Sequence, residues 1–278
     1  MNNTQSSAVA TFRSLHESGC FVMPNPWDPG TARYLAHLGF KALATTSAGF
    51  AFSRGLPDRV ASITTERMLS HFREIAEATP LPVNADFQNG YADRPEDVMV
   101  NVTRCIETGV AGLSVEDSTG KADAPLYERE LAIERVRAAR AAIDDSGIPV
   151  VFTARCEVWL VGNPDARQIA LDRLVAYADA GADCLYAPGV RQPEDIAAIV
   201  KAVSPKPVNV LMSAPGLTLA QLADLGVRRI SVGSALARVA WGAFIHAAQS
   251  IAETGSFDSL GGGTTVNLNQ LFAQDENS

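Results

Sequence analysis

Positive charge is scarce in this chain: 23 lysine and arginine residues stand against 31 aspartate and glutamate, for a formal net charge of −8. That balance excludes the basic footprint of a nucleic-acid binder and argues against attachment to an anionic membrane surface. No apolar stretch approaches the roughly 20 residues that span a bilayer. Met1 to Ala8 carry no basic, apolar and cleavage regions in series, so no secretory leader is read there. Cys20, Cys105, Cys156 and Cys184 are far apart and form no C-x-x-C pair. They predict reduced thiols in a cytoplasmic protein rather than a disulfide frame. A Gly-rich dinucleotide turn is missing after the first apolar run, which weakens an open nucleotide-binding sheet.

What is present is 278 residues, 47% of them hydrophobic, enough for one large core. One punctuation recurs. A helical pattern ends in glycine and an apolar run follows within two or three residues: Gly39 before Ala42 to Thr45, Gly109 before Ala111 to Val115, Gly147 before Val150 to Thr153, Gly181 before Cys184 to Ala187, Gly226 before Ile230 to Val232. Glycine is the usual left-handed residue just past a helix end, so each copy predicts a helix-to-strand loop. Phe21 to Pro24, Pro82 to Asp86 and Pro207 to Leu211 complete eight strands. The intervening segments have helical faces: Met68, Leu69, Phe72 and Ile75; Leu171, Leu174, Val175 and Ala178; Ile196, Ile199, Val200 and Val203. Pro95, Pro164 and Pro193 fall near predicted first turns. Eight strand–helix units over about 250 residues predict a (β/α)8 TIM barrel of the α/β class.

The barrel is read over about residues 8–253 of one domain spanning 1–278, with 254–278 as a C-terminal extension and tail. Val9, Phe12 and Leu15 predict a short helix plugging the barrel bottom. Gly261 to Gly263 followed by Leu268, Leu271 and Phe272 predict a segment that docks on a neighbouring subunit, and Gln274 to Ser278 are expected to be mobile.

In this architecture chemistry sits at the carboxyl ends of the strands. Those positions hold Asn25, Trp27 and Asp28; Thr46 and Ser47; Asp86; Glu116 and Asp117; Arg155 and Glu157; Tyr186; Asn209; Gly233 and Ser234. Any one of them reads equally as a loop cap; the whole set at one mouth does not. Lys41 and Lys206 precede strands and Lys201 lies in a helix, so no lysine is placed for a Schiff base. His16, His37, His71 and His246 fall in helical stretches, which argues against a His-ligated zinc. The carboxylates Asp86, Glu116 and Asp58 remain, and oxygen ligands without histidine suit a hard cation such as Mg²⁺. Arg155 leaves a buried strand and must meet an anion, either Glu116, Glu157 or a substrate carboxylate. Ser47, Ala48 and Gly49 follow strand two as a small-residue loop whose N–H groups could cradle a carboxylate or enolate oxygen.

These segments together carry a resemblance. Pro24-Asn25-Pro26-Trp27-Asp28, Thr45-Thr46-Ser47-Ala48-Gly49, Gly55-Leu56-Pro57-Asp58, Asn84-Ala85-Asp86 with Gly90-Tyr91, Val115-Glu116-Asp117 and Thr153-Ala154-Arg155-Cys156-Glu157 resemble the isocitrate lyase/phosphoenolpyruvate mutase superfamily along nearly the whole barrel. The resemblance implies Mg²⁺, with Mn²⁺ as a substitute, contacted by Asp86 directly or through water, with Asp58 and Glu116 holding waters in its shell. It implies a 2-oxo acid bound by Ser47, Ala48, Gly49, Trp27, Arg155 and Asn209, with Arg155, Ser47 and Glu116 catalytic. It also implies helix swapping in a homodimer or homotetramer.

The departures from the family narrow the reaction. Where the lyases carry a cysteine- and histidine-bearing loop, this chain has Ser118-Thr119-Gly120-Lys121-Ala122-Asp123; the Asp-x-Asp pair is reduced to Asp86-Phe87-Gln88. The expected activity is C–C cleavage or decarboxylation of an oxaloacetate-like acid through a pyruvate enolate. Tyr186 and Glu157 are the candidates for a general acid. The alternatives are P–C bond chemistry on a phosphonopyruvate-like substrate, with Lys121 or Arg191 as a second cation, and a non-catalytic keto-acid-binding protein.

Overall fold

The computed structural model describes residues 3–273. Eight parallel strands, β1 (Phe21–Met23), β2 (Leu43–Ala44), β3 (Val83–Asp86), β4 (Gly112–Glu116), β5 (Val151–Arg155), β6 (Cys184–Tyr186), β7 (Val208–Leu211) and β8 (Arg229–Ser231), run in the order β1-β8-β7-β6-β5-β4-β3-β2. The Ala44 N–H donates to the Pro24 carbonyl at 3.0 Å across the remaining seam. Asn25 fastens the same seam: its Nδ2 donates to Thr45 O at 2.9 Å while its Oδ1 accepts from Val232 N and Gly233 N at 3.0 and 2.9 Å. The result is a (β/α)8 TIM barrel.

The helices are α1 (Asn3–Glu17), α2 (Pro29–His37), α3 (Ser47–Ser53), α4 (Thr65–Glu77), α5 (Pro95–Ile106), α6 (Arg129–Ser146), α7 (Ala166–Asp179), α8 (Pro193–Val203), α9 (Leu219–Asp224), α10 (Ala235–Thr254) and α11 (Leu268–Ala273). Gly39, Gly109, Gly147, Gly181 and Gly226 all have positive φ, between 65° and 107°, as the helix-to-strand punctuation requires. Helix α1 does plug the bottom. Phe12 is fully buried, and a Cβ on Gly112 at the foot of β4 would sit 2.6 Å from Phe12 Cε1, so only glycine admits the plug.

Several local expectations change. Pro95 and Pro193 open their helices, but Pro164 precedes the Asp165 N-cap of α7. The inward face of α7 is in part the apolar one expected, with Leu174 fully buried and Leu171 and Ala178 packed against the core. Val175 is exposed, whereas Arg173 and Tyr177 are buried because both bond to Asp117 beneath the helix. Asp28 is the N-cap of α2 in a reciprocal capping box with Thr31, the bland reading of that position. Ser47 to Gly49 are not a loop but the first turn of α3, capped by Thr46 Oγ1.

Helix α11 packs on α2 of its own chain, with the Phe272 ring beside Gly30. Helix α10 is covered only in part: Ala237 alone is fully buried, while Val239, Trp241, Phe244 and Ile245 are exposed. Gln274 to Ser278 lie outside the described residues. Among the described residues no helix is long and apolar enough to cross a membrane.

Candidate active site

The carboxyl ends of the strands surround a cavity of about 190 Å³, walled among others by Ser47, Ala48, Asp58, Asp86, Arg155, Tyr186, Asn209 and Arg229. Drug-sized ligands occupy roughly 300–1,000 Å³, so this space suits an acid of a few heavy atoms. A wider depression of about 1040 Å³ lies between α1, α2 and α4 where chain segments enter the strands, the end at which barrels do not place chemistry.

Strand register brings the mouth residues together. Glu116 pairs with Arg155, Arg155 with Tyr186, Tyr186 with Asn209 and Asn209 with Arg229, a row that runs from the rim to the barrel interior. Arg155 is its hub. Nη1 donates to Asp86 Oδ1 at 2.7 Å, Nε donates to Glu157 Oε1 at 2.9 Å, and Nη2 lies 3.0 Å from Glu116 Oε2. Its guanidinium carbon sits 5.1 Å from the Tyr186 ring centre. Burial opposes the Arg155 charge, but the carboxylates of Glu157, Glu116 and Asp86 outweigh it and hold the group firmly cationic. Asp86 is fixed from its other side by the Ser47 N–H, which donates to Oδ2 at 3.0 Å, and its own N–H donates to Thr45 Oγ1 at 2.9 Å.

The acids exceed the bases here, and their protonation responds. Burial raises the Glu116 pKa well above the usual carboxylate range; Arg155 opposes this, and Glu157 and Asp86 add to it. Burial raises Glu157 likewise, again against Arg155. Asp58 is exposed at the rim with Oδ1 accepting from Gln88 Nε2 at 3.2 Å; desolvation and the Asp86 charge raise its pKa. Gln88 Oε1 is buried without a partner beside it.

The structure thus gathers Ser47, Ala48, Asp58, Asp86, Arg155 and Asn209 on one cavity wall. It sets three expected residues back from it. Glu116 lies behind Arg155. The Gly49 N–H is taken by Thr46 Oγ1 at 3.2 Å, and a Cβ at Gly49 would meet Trp27 Cβ at 3.0 Å, so Trp27 supports α3 from outside. Asn209 is engaged on both sides, donating from Nδ2 to Ser231 Oγ and accepting at Oδ1 from Arg229 Nε, each at 2.9 Å.

Asp117 and Cys156 are structural. Asp117 accepts from Arg173 Nη1 at 2.9 Å, Tyr177 Oη at 2.7 Å and Glu157 N at 2.8 Å, and burial pushes the Cys156 thiol well up. Arg135, buried in α6, donates to Asp93 O at 2.7 Å and also to Ala92 O and Asn89 O. It thereby holds the turn after β3, where Gln88 and Tyr91 have φ of 44° and 54°.

Among the described residues no group of three or more His, Cys, Asp or Glu side chains is arranged to hold a metal ion. The donor chemistry nevertheless fits a hard divalent cation. Asp86 and Asp58 both face the cavity, and Mg²⁺ keeps most of its water while using one or two carboxylates.

The strand order and the cavity lining define a (β/α)8 barrel with its acids and Arg155 gathered at the carboxyl ends of the strands. The family model described as phosphoenolpyruvate phosphomutase matches residues 12–252, and the chain belongs to that family, within the isocitrate lyase/phosphoenolpyruvate mutase superfamily of lyases and mutases. An oxaloacetate decarboxylase of Pseudomonas aeruginosa strain PAO1 is 31% identical over 234 residues, 81% of this chain and 79% of its own. A crystal structure from Burkholderia cenocepacia J2315, provisionally described as a lyase/mutase, is 46% identical with a TM-score of 0.93 and covers 98% of both chains. Oxaloacetate acetylhydrolase in complex with its product oxalate is 28% identical with a TM-score of 0.86, covering 98% of this chain and 96% of its own.

Proposed function

We propose that this protein is a Mg²⁺-dependent lyase or decarboxylase that cleaves the C–C bond of an oxaloacetate-like 2-oxo acid through a pyruvate enolate, with Mn²⁺ as an alternative metal. The observation that carries the reading is the fixing of Asp86 between the Ser47 N–H and Arg155 at the wall of a small cavity. Asp86 and Asp58 would hold the cation, with Glu116 backing them through water and through Arg155, and the Arg155 guanidinium offsets their negative charge where a substrate carboxylate would bind. A bound divalent cation supplies Lewis-acid stabilisation of charge developing on the 2-oxo oxygen. Ser47 and Ala48 orient the substrate at the wall, and Asn209 limits its depth. The similarity to oxaloacetate decarboxylases supports this substrate class.

P–C bond chemistry is the second reading, favoured by the description of the matching family. It requires a further cation opposite Arg155. Lys121 is paired with Asp93 at 3.3 Å on the exposed surface, and Arg191 lines a separate small hollow. The cavity's second guanidinium is instead Arg229, at its floor. A non-catalytic keto-acid binder is the third reading and would bind oxalate without turnover.

We also place the enzyme in the cytoplasm, consistent with four free cysteines. We infer a homodimer or homotetramer in which a second copy covers the apolar face of α10. The test is ¹H and ³¹P NMR of oxaloacetate and phosphonopyruvate incubated with protein and Mg²⁺. Pyruvate from oxaloacetate supports the lyase, whereas phosphoenolpyruvate or inorganic phosphate from phosphonopyruvate, with no pyruvate from oxaloacetate, overturns it.

A further inference from the structure

Arg229 is a buried charge that faces the cavity without an ion-pair partner among the described residues. It is 1% exposed, at the start of β8, and faces the cavity floor. All its hydrogen-bond acceptors are neutral: Asn209 Oδ1 at 2.9 Å from Nε, Thr153 Oγ1 at 2.8 Å from Nη2, and His16 Nε2 at 3.2 Å from Nη1. His16 stays uncharged, because burial and Arg229 push its pKa down to about 3, while its Nδ1 faces the Phe12 carbonyl at 2.7 Å. A buried guanidinium with no carboxylate partner is costly and calls for a reason.

Arginine can only donate hydrogen bonds. Asn209 must therefore present its oxygen to Arg229, which turns its NH₂ towards Ser231 Oγ, 2.9 Å away. Having accepted there, the Ser231 hydroxyl keeps its own hydrogen to donate, and it lines the same cavity as Tyr186, whose ionised phenol it favours. Both hydrogen bonds in the row Arg229, Asn209, Ser231 thus point one way. Tyr186 lines the cavity, flanked in strand register by Arg155 and Asn209.

We propose that Tyr186 is the proton donor that quenches the enolate, with Arg229, Asn209 and Ser231 as positioning residues that aim its hydroxyl. This rests on the enolate reading above. The C3–C4 bond of the 2-oxo acid breaks, CO₂ leaves, and the electron pair enters the C2–C3 enolate. That pair then takes the Tyr186 proton: a C3–H bond forms, the O–H bond breaks, and water reprotonates the phenolate. The other candidate acid, Glu157, does not line the cavity and is engaged by Arg155 Nε at 2.9 Å. Burial pushes the Tyr186 pKa up to about 12, so the donor is protonated at neutral pH, and the nearby Arg155 charge eases its ionisation.

The test follows CO₂ and pyruvate separately in the full-length protein with Mg²⁺ and oxaloacetate, comparing wild type, Tyr186→Phe and Ser231→Ala. In wild type the two products appear together. In Tyr186→Phe, CO₂ runs ahead and pyruvate follows about 100-fold or more slowly, the usual worth of a positioned acid. Oxalate affinity stays within about threefold, which separates proton delivery from binding. Ser231→Ala shows the same lag, smaller in size. CO₂ and pyruvate in step in Tyr186→Phe, at any rate, overturn the assignment, as does loss of oxalate binding. Absence of metal-dependent CO₂ release by the wild type sinks the enolate reading itself, and this inference with it.

Discussion

Arg155 reaches from the end of β5 to Asp86 at the end of β3, Nη1 to Oδ1 at 2.7 Å, across the strand that carries Glu116. The pair is largely buried, with 13% and 19% of the two side chains exposed. Each partner therefore needs the other or a ligand that replaces it. Replacing Arg155 by Met leaves Glu116 and Glu157 without their counter-ion. The expected outcome is a loss of about 3–5 kcal/mol in urea unfolding, together with loss of measurable turnover. A variant of unchanged stability would mean the acids are solvated, contrary to their burial.

The raised carboxyl groups set a pH dependence. Glu116 titrates above its unfolded value, so between the ordinary glutamate value of about 4.3 and its raised one the folded state binds more protons than the unfolded. Its contribution to stability is full below that window and is lost as pH rises through it. Melting temperatures of wild type and Glu116→Gln, compared at about pH 5 and about pH 8, should show a smaller fall with pH in the variant. An equal fall in both would remove Glu116 as its source.

The barrel itself could be read from the chain because each glycine-terminated helix is followed by a short buried strand, and Gly39, Gly109, Gly147, Gly181 and Gly226 carry the positive φ that the pattern demands. Strand ends also marked Asp86, Arg155, Tyr186 and Asn209, since barrel geometry puts such residues at one mouth. Three matters were hidden. Trp27 and Gly49 are adjacent to cavity residues in sequence, yet they pack against each other: a Cβ on Gly49 would meet Trp27 Cβ at 3.0 Å. Arg135 and Arg173 lie on helix faces that hydropathy assigns to solvent, but their partners are loop carbonyls and Asp117, far away in sequence. Arg229 is not among the sequence candidates because the last apolar run begins at Ile230. The polar–apolar–polar order of Arg229-Ile230-Ser231 was the available signal, because alternation sends the two polar residues to one face.

The support from α3 is testable at Gly49. A methyl there would lie 2.7 Å from Thr46 Cγ2 and 3.0 Å from Trp27 Cβ, so the turn must shift and carry the Ser47 N–H with it. Gly49→Ala should lower kcat by up to about 100-fold, as a misplacement near 1 Å does, with little change in far-UV circular dichroism. An unaffected kcat would dissociate this turn from catalysis.

The exposed apolar face of α10 sets an expectation for assembly. Val239→Asp combined with Phe244→Asp should reduce the mass measured by light scattering to that of one chain, because burying two carboxylates in an apolar contact is strongly unfavourable. The same mass for variant and wild type would place any subunit contact elsewhere.

The most direct measurement is pyruvate release from oxaloacetate by wild type and Asp86→Ala, each with Mg²⁺ and with excess chelator, against a protein-free blank. The account predicts release well above the blank only for wild type with metal. Release equal to the blank in wild type, or undiminished release by Asp86→Ala or under chelation, would contradict it.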